Sequence, residues 1–339
     1  MKFLFLGLLL LAGFASQSQS AIKQRFEYVR PQMGTTFRII LYADSEAKAQ
    51  AAANAGFNRI EELNKILSDY DPESELSRLS ASAGSGKAIK LSPDLWYILH
   101  KSLLISKKTN GAFDVTIGPV VQLWRRARRQ HELPAAEALA QAKCHIGYRN
   151  IILNPQSKTA QLRISGMQLD MGAIGKGYAV DEAMKVLKAK GIKSALIDGG
   201  GNILVSRAPP KSKGWIIDLH PLQTTNQQEQ QKLVLKQQGV ATSGDLYQYV
   251  ELDGSRYSHI VNPFTGVGLT DQSRVTIITK NATDADWLST SLSVLDPTVG
   301  FALIKKVPRA AASIVKNENN ILKHWESKRY WHYLDNSLE

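Results

Sequence analysis

A glycine-rich turn between a short apolar strand and an amphipathic helix is the feature of this sequence with the clearest chemical consequence. The turn spans residues 170–177 and spaces Gly172, Gly175 and Gly177 as G-x-x-G-x-G. Glycines let the backbone approach a ligand, a helix N-terminus offers unpaired N–H groups, and Lys176 adds a positive charge. This glycine turn therefore predicts an anion site. Its spacing differs from the Rossmann and Walker patterns, so a role in packing alone stays open.

Asp286 and Thr290 form a second pattern with chemical meaning, because they lie four residues apart in a segment that predicts a helix. Side chains at this spacing share one helix face, so two hard oxygens can meet a single cation. Magnesium prefers such oxygen ligands and usually takes few of them from protein. The same residues also suit a structural role, since an aspartate favours the helix dipole and a threonine often bonds back to a carbonyl.

These residues would be positioned by helices and strands in mixed order, which predicts an α+β fold. Helices are predicted where apolar residues recur every three or four positions, over residues 45–67, 93–108, 134–142, 177–190 and 285–295. Residues 28–42 predict a strand pair or one long strand with a Met-Gly turn. Shorter strands are predicted over 151–153, 161–164, 195–197, 215–219, 233–235, 247–252 and 275–279. The glutamine-rich segment 223–231 is expected to be a surface insertion.

Composition limits the classes of protein that the chain can form. With 339 residues and 43% hydrophobic content, it can bury one large core or two ordinary ones. The net charge of +12 suits an acidic ligand or surface without choosing between nucleotide, nucleic acid and lipid headgroup. The basic run Arg125–Arg129 is expected to be a solvated loop face. The single cysteine, Cys144, excludes an intramolecular disulfide and is expected to be a buried strand residue without a catalytic role.

The first twenty residues have the layout of a secretory signal peptide. Lys2 precedes the apolar run Phe3–Phe14, and small or polar residues follow it. The twelve apolar residues of that run fall short of the ~20 that span a bilayer, so no membrane span is expected. The sequence therefore predicts a periplasmic protein whose mature part, residues 21–339, is one domain or two closely packed subdomains.

Several blocks of sequence, in order along the chain, resemble the ApbE family of FAD:protein FMN transferases. These blocks are residues 33–35, 71–79, 111–119, 169–181, 239–245, 256–263 and 284–290. The resemblance covers roughly residues 28–315 and implies an α+β fold with mixed, largely antiparallel sheets and packed helices. Many members are lipoproteins cut before a cysteine. Phe14 stands at that position here, so lipid anchoring is not expected.

The resemblance also implies a set of site residues. Magnesium would be held by Asp286, Thr290 and the backbone carbonyl of Ala173, and His259 is the candidate general base. FAD would be bound by Met33, Tyr70, Ala112, Phe113, Asp114, Asp170, Lys176 and Ile260. Tyr70 can stack on a flat ring, while Phe113 and Ile260 suit an ordinary core equally well. Asp284 is expected to be a helix N-cap. Two positions depart from the family pattern, since Asn262 replaces a common aspartate and Trp287 replaces a smaller residue.

The resemblance implies that FAD is the substrate and that magnesium is the cofactor. A Thr or Ser hydroxyl of an acceptor protein, such as a respiratory or reductase subunit, would attack the phosphorus nearest the riboflavin, with AMP leaving. Nucleic acid is not an expected partner, and contact with a membrane surface stays open. Three alternatives are an FAD pyrophosphatase that gives FMN and AMP, a non-catalytic FAD-binding protein, and a dinucleotide oxidoreductase. Asp198, 26 residues after Gly172, suggests the last, but the glycine order opposes it.

Overall fold

The structure is a computed structural model that describes residues 23–219, 221–222, 231–244, 249–318 and 321–335. The predicted signal segment, residues 1–20, and nearly all of the predicted insertion at 223–231 lie outside the described residues. Within the described part, helices pack on antiparallel sheets, which confirms the predicted α+β fold. None of the described helices is long and apolar enough to cross a membrane.

The strands form one large sheet and three small ones. In chain order the strands are β1 Gln24–Gln32, β2 Thr35–Ala43, β3 Ile89–Lys90, β4 Ile151–Asn154, β5 Thr159–Leu162, β6 Ala195–Gly199, β7 Asn202–Val205, β8 Trp215–Asp218, β9 Lys232–Leu235, β10 Gln238–Gly244, β11 Tyr249–Leu252, β12 Ser255–Ser258, β13 Gln272–Thr279, β14 Ala311–Glu318 and β15 Ile321–Glu326. The large sheet has the order β1-β2-β6-β7-β10-β13-β14-β15, and each neighbouring pair in it is antiparallel. The small sheets are β3-β5-β4, β8-β9 and β11-β12.

The helices of the described residues lie between these strands. They are α1 Glu46–Leu67, α2 Glu75–Ala81, α3 Pro93–Lys108, α4 Gly118–Gln130, α5 Ala136–Cys144, α6 Gly175–Ala189, α7 Ala282–Val294 and α8 Pro297–Lys305. Two expectations are wrong here. The basic run Arg125–Arg129 belongs to α4, whose buried face is set by Val120, Trp124 and Ala127 at helical spacing. Cys144 is exposed at the end of α5, where its thiol lies near the Ala140 carbonyl.

Three buried clusters show how the layers are assembled. Alternate residues of β2 point to opposite faces, so Ile39 and Leu41 pack with α1, α6 and α7, while Ile40 packs with β8 and β9. A third cluster joins α4 and α5 to the β11-β12 hairpin, and in it the Trp124 indole donates a 2.8 Å hydrogen bond to the Gly266 carbonyl. The candidate site lies between the first cluster and the third.

Candidate functional site

The glycine turn is held in shape by its own side chains. Asp170 Oδ1 accepts a 2.6 Å hydrogen bond from the Gly172 N–H, and Lys176 Nζ donates to the Gly172 carbonyl at 3.0 Å. Helix α6 begins at Gly175, and its N-cap residue, Ile174, makes no side-chain cap hydrogen bond. In the first turn of the helix, the Gly175 N–H donates to the Met171 carbonyl at 2.7 Å and the Gly177 N–H donates to Asp286 Oδ2. The positive charge available to an anion here therefore comes from the helix dipole and Lys176 more than from free N–H groups.

The third glycine of the turn serves packing, which is the alternative that the sequence left open. A Cβ atom on Gly177 would lie 2.5 Å from the Ala282 carbonyl oxygen and 2.8 Å from Asp286 Cβ. The Gly177 N–H donates to Asp286 Oδ2 at 2.8 Å, and Asp181 accepts from the Ala282 N–H at 2.8 Å. The turn and α7 are thus joined through direct backbone contacts.

Replacing Gly177 with alanine is expected to lower the free energy of unfolding by roughly 1–3 kcal/mol, the range for overpacking. The new methyl group would press on the α7 backbone, which cannot rotate away as a flexible side chain can. Gly175→Ala is the matched control, because its Cβ would meet Met171 Cβ at 3.5 Å, an ordinary contact. Chemical denaturation of both variants measures the difference, and equal midpoints would contradict this account of the packing.

Asp286 is a buried carboxylate on α7 that contacts the glycine turn through Gly177. Its relative exposure is 3%, and burial raises the pKa of its carboxyl, although the Lys176 charge and the Gly177 N–H oppose the shift. Thr290 follows one turn later and is half-buried, and Ala173 and Thr290 line the same pocket. No group of three or more His, Cys, Asp or Glu side chains that could hold a metal occurs among the described residues. One buried carboxylate with a hydroxyl and a carbonyl fits magnesium, which takes few protein ligands.

Replacing Asp286 with asparagine is expected to raise the thermal midpoint of the metal-free protein near pH 8. The pKa of the Asp286 carboxyl is higher in the folded protein than its usual value of 3.8. The free energy of unfolding therefore falls as the pH rises from 3.8 through the raised pKa, because the buried carboxyl is forced to ionise. Above the raised pKa this loss of stability is constant. The asparagine carbonyl can still accept from Gly177 but carries no charge. Thermal melts of both proteins across pH test this. A difference between them that does not shrink as pH falls would contradict the assignment.

Six of the predicted site residues line one pocket between the first and third clusters. They are Ala112, Phe113, Asp114, Asp170, Ala173 and Thr290. The other lining residues are Val115, Ile117, Val261, Pro263 and Val294. Its volume of about 50 Å³ has room for a few water molecules only, so the pocket is too small to hold a nucleotide-sized ligand by itself. The structure therefore brings the glycine turn, the 112–114 segment and α7 together.

Asp114 organises the loop that carries this segment. Its Oδ1 accepts from the Thr116 N–H at 2.9 Å and from the Thr116 hydroxyl at 2.7 Å, while Oδ2 accepts from the Tyr148 N–H at 3.0 Å. Burial raises the pKa of the Asp114 carboxyl, and these hydrogen bonds oppose the shift. Neighbouring Phe113 is buried in the first cluster. Asp114 thus supports the shape of the pocket wall, whatever it contributes to a ligand.

His259 lies immediately after β12, in a bend, and is half-buried. Strand β12 ends at Ser258, whose hydroxyl accepts from the Ile260 N–H at 3.1 Å in a local turn. Asn262 Oδ1 accepts from the Phe264 N–H at 2.9 Å, which is a turn-forming role that needs no carboxylate. Val261, two residues after His259, lines the pocket, so the His259 backbone lies close to the pocket wall.

The other six predicted site residues do not line this pocket; they are Met33, Tyr70, Lys176, His259, Ile260 and Asp286. Met33 takes a left-handed conformation, with φ 49°, in the two-residue turn between β1 and β2, and packs partly against the first cluster. This confirms the predicted Met-Gly turn, because Gly34 is also left-handed, as such hairpin turns require. Ile260 is buried, in agreement with the core alternative that the sequence left open for it.

Sequence reasoning missed Arg125, which connects two predicted site residues. Its guanidinium donates to Asp170 Oδ2 at 2.8 Å and to Asp69, and its carbon lies 4.1 Å from the ring centroid of Tyr70. The side chain is 15% exposed, so it is not part of a solvated face. A helical pattern over residues 118–130 would have been the signal. Adjacent residues of a helix point in different directions, so Arg125 need not share the exposed position of Arg126.

Two acidic residues outside the pocket have structural roles. Asn281, and not Asp284, is the N-cap of α7: it accepts from the Asp284 N–H at 2.7 Å and donates to Asp284 Oδ2 at 2.8 Å. Asp284 also pairs with Lys101 and accepts from the Trp287 indole. Asp198 accepts from the Gly201 N–H in the β6-β7 turn and pairs with Arg38, so its carboxylate is engaged away from the glycine turn.

The glycine turn, the buried Asp286 carboxylate and the pocket lined by Thr290 lie close together on an antiparallel α+β scaffold. Comparison with known proteins gives the family. The ApbE family model matches residues 33–314. The chain is 31% identical to the FAD:protein FMN transferase of Treponema pallidum, over 85% of this chain and 84% of the relative. It is 30% identical to that of Klebsiella pneumoniae, over 89% and 87%.

Solved structures agree with the sequence comparisons. The flavinyl transferase ApbE of Pseudomonas stutzeri, in its apo form, superposes with a TM-score of 0.80 at 27% identity, over 92% of this chain and 97% of that one. The flavin transferase ApbE of Vibrio cholerae superposes with a TM-score of 0.82 at 25% identity, over 92% and 100%. The chain belongs to the ApbE family, which confirms the resemblance seen in its sequence.

Proposed function

We propose that this chain is a magnesium-dependent FAD:protein FMN transferase that modifies a Thr or Ser hydroxyl of an acceptor protein and releases AMP. The names of its relatives support FMN transfer from FAD. The observation that carries the proposal is the pocket in which the glycine turn, the 112–114 segment and Thr290 of α7 meet. That arrangement places an anion-binding helix terminus beside hard oxygen donors, as a reaction at a diphosphate requires.

The reaction replaces the phosphoanhydride bond of FAD with a phosphoester bond to the acceptor. The acceptor hydroxyl oxygen forms a bond to the phosphorus nearest the riboflavin, the bond from that phosphorus to the bridging oxygen breaks, and AMP leaves with that oxygen. Magnesium, when bound, would offset negative charge on the diphosphate. Asp286, Thr290 and the Ala173 carbonyl would hold it, and FAD would contact the residues named from the family resemblance.

The chain's own groups then have defined roles. The α6 N-terminus and Lys176 attract the diphosphate, because both present positive charge at the glycine turn. His259, beside the Val261 wall, accepts the proton of the acceptor hydroxyl as the new bond forms. Asp170 keeps the turn in shape through its hydrogen bond to Gly172 and can accept from ribityl or ring N–H groups of FAD.

The proposal is tested by incubating the mature protein with FAD, magnesium and a protein domain that carries a target threonine. Intact-mass measurement should show an FMN adduct on the acceptor, and chromatography should show AMP in equal amount. The same acceptor with its target threonine replaced by alanine is the control. Release of FMN and AMP without an adduct would indicate an FAD pyrophosphatase instead. FAD binding without either product would indicate a carrier protein.

We also propose that the protein acts in the periplasm after removal of its signal peptide. The mature chain is expected to begin after residue 15 or residue 20, and osmotic shock is expected to release it without detergent, since Phe14 replaces a lipid-accepting cysteine. Intact-mass measurement of the natural protein gives the cleavage site. A diacylated species, or retention in the membrane pellet after a salt wash, would show that this localisation is wrong.

A further inference from the structure

Arg125 is the least expected charged group near the site. It belongs to α4, yet its side chain points toward two other segments, the loop after α1 and the glycine turn. One end of the guanidinium donates to Asp69 and the other donates to Asp170 Oδ2 at 2.8 Å. A largely buried guanidinium is favourable only when acceptors pair with its charge and its N–H groups. Arg125, Asp69 and Asp170 therefore hold one another in position.

Tyr70 completes this group, because the Arg125 guanidinium lies over its ring. The Arg125 carbon is 4.1 Å from the Tyr70 ring centroid, which is the geometry of a cation–π contact. The Tyr70 residue nevertheless remains 73% exposed. Since Arg125 covers one face, that exposure belongs mainly to the opposite face and the ring edge. When one face of an aromatic ring is covered by protein and the other face is exposed, a second planar ring can stack on the exposed face.

We propose that Arg125 is a positioning residue for FAD binding, and that it holds the open face of Tyr70 and the carboxylate of Asp170 in a fixed relation to a planar ring of FAD. This inference rests on the proposed function, because FAD as substrate comes from there. It adds a residue to that site and explains why two segments distant in sequence present one binding surface. Arg125 itself acts through Tyr70 and Asp170 and needs no contact with FAD.

Arginine suits this position better than lysine does. Its planar fork can donate to two carboxylates while its face supports an aromatic ring, whereas an ammonium is a point charge that cannot do all three. Without a countercharge the two carboxylates would repel each other. Burial has the largest effect in raising the pKa of the Asp69 carboxyl, and the negative charge of Asp170 raises it further. The second effect is the repulsion between the two carboxylates. Loss of Arg125 would therefore release the Tyr70 loop from the glycine turn.

The test compares Arg125→Met, Arg125→Lys and Arg126→Met in the mature protein. Arg125→Met is expected to weaken FAD affinity about tenfold or more in a flavin fluorescence titration. The transfer rate at saturating FAD should fall much less, since Arg125 does not touch the reacting atoms. Arg125→Lys should fold normally and recover only part of the affinity. Arg126 is exposed and donates to Gln130, so Arg126→Met is the matched control and should bind FAD normally.

A double variant separates positioning from a general loss of structure. If Arg125 acts through Tyr70, the fold loss of FAD affinity in the double variant will be smaller than the product of the fold losses in Arg125→Met and Tyr70→Leu. Losses that multiply, or wild-type affinity in Arg125→Met, would overturn the inference. Where Arg125→Met fails to fold, Arg125→Lys carries the same comparison. If the wild-type protein binds FAD but does not transfer FMN, the proposed function is refuted and the inference about Arg125 is not. The affinity measurements would still test the role of Arg125 in FAD binding.

Discussion

Replacing Asp286 with alanine is expected to reduce FMN transfer by at least ~10²–10³-fold, the usual cost of losing one electrostatic contact to a transition state. Asp286 supplies the only charged group of the proposed magnesium donor set, and the Thr290 hydroxyl and Ala173 carbonyl cannot replace its charge. Because the raised pKa shows that the ionised carboxyl is unfavourable in the metal-free interior, its loss should leave the fold intact. Single-turnover mass labelling, together with thermal melts, measures both effects.

Asp218→Ala is the matched control for this experiment. Its side chain is 52% exposed on β8, and it forms an ion pair with Lys232 at 4.0 Å, so its removal should change neither transfer nor stability appreciably. Magnesium should raise the thermal midpoint of the wild type and of Asp218→Ala, but not that of Asp286→Ala. Unchanged turnover in Asp286→Ala with magnesium present would refute the metal assignment.

Replacing His259 with alanine is expected to slow transfer ~10²–10⁴-fold while FAD affinity changes little. A general base acts on the attacking hydroxyl only as the new bond forms, whereas bound FAD can be held by the glycine turn and Lys176. His259 lies in the bend after β12, beside Val261 of the pocket wall. Single-turnover transfer and flavin fluorescence titration, run on the same preparation, give the two quantities.

His324→Ala, an exposed position on β15 at the edge of the large sheet, is the control and should behave as wild type. Rate and affinity that fall together in His259→Ala would identify His259 as a binding or structural residue. A rate that barely changes would mean that the metal or the acceptor itself activates the hydroxyl. Either result would leave the Asp286 prediction standing, since the two side chains have separate tasks.

The sequence predicted the glycine turn, α6 and the meeting of turn and α7, because these depend on local signals and on blocks that resemble a family. It failed where a residue's role depends on distant partners. Arg125 reads as one member of a basic run, and only the packing of α4 turns it toward Asp69 and Asp170. Likewise, asparagine and aspartate are both preferred N-cap residues, so the sequence does not choose between Asn281 and Asp284. The position at which the helical backbone begins makes Asn281 the N-cap.

Strands were missed for a related reason. β14 and β15 carry weak local patterns, and the mixed sequence of Ala311–Glu318 becomes a strand because it pairs with β13. The bend at His259 was also unpredictable, since it follows from the Ser258 hydroxyl accepting the Ile260 N–H. The pairing of β14 with β13 is a tertiary contact, which a local pattern does not contain. The turn at Ser258 is local, but a serine by itself does not indicate that such a turn will form.

The direct contact between Gly177 and α7 bears on how the site meets its ligand. Because Gly177 packs against the Ala282 carbonyl and donates to Asp286, the glycine turn and α7 are held together before any ligand arrives. Binding of a diphosphate there orders little of the chain, so little conformational entropy is lost on association. The Gly177 amide should consequently be among the slowest to exchange its hydrogen, with or without FAD, while the Tyr70 loop gains protection when FAD binds.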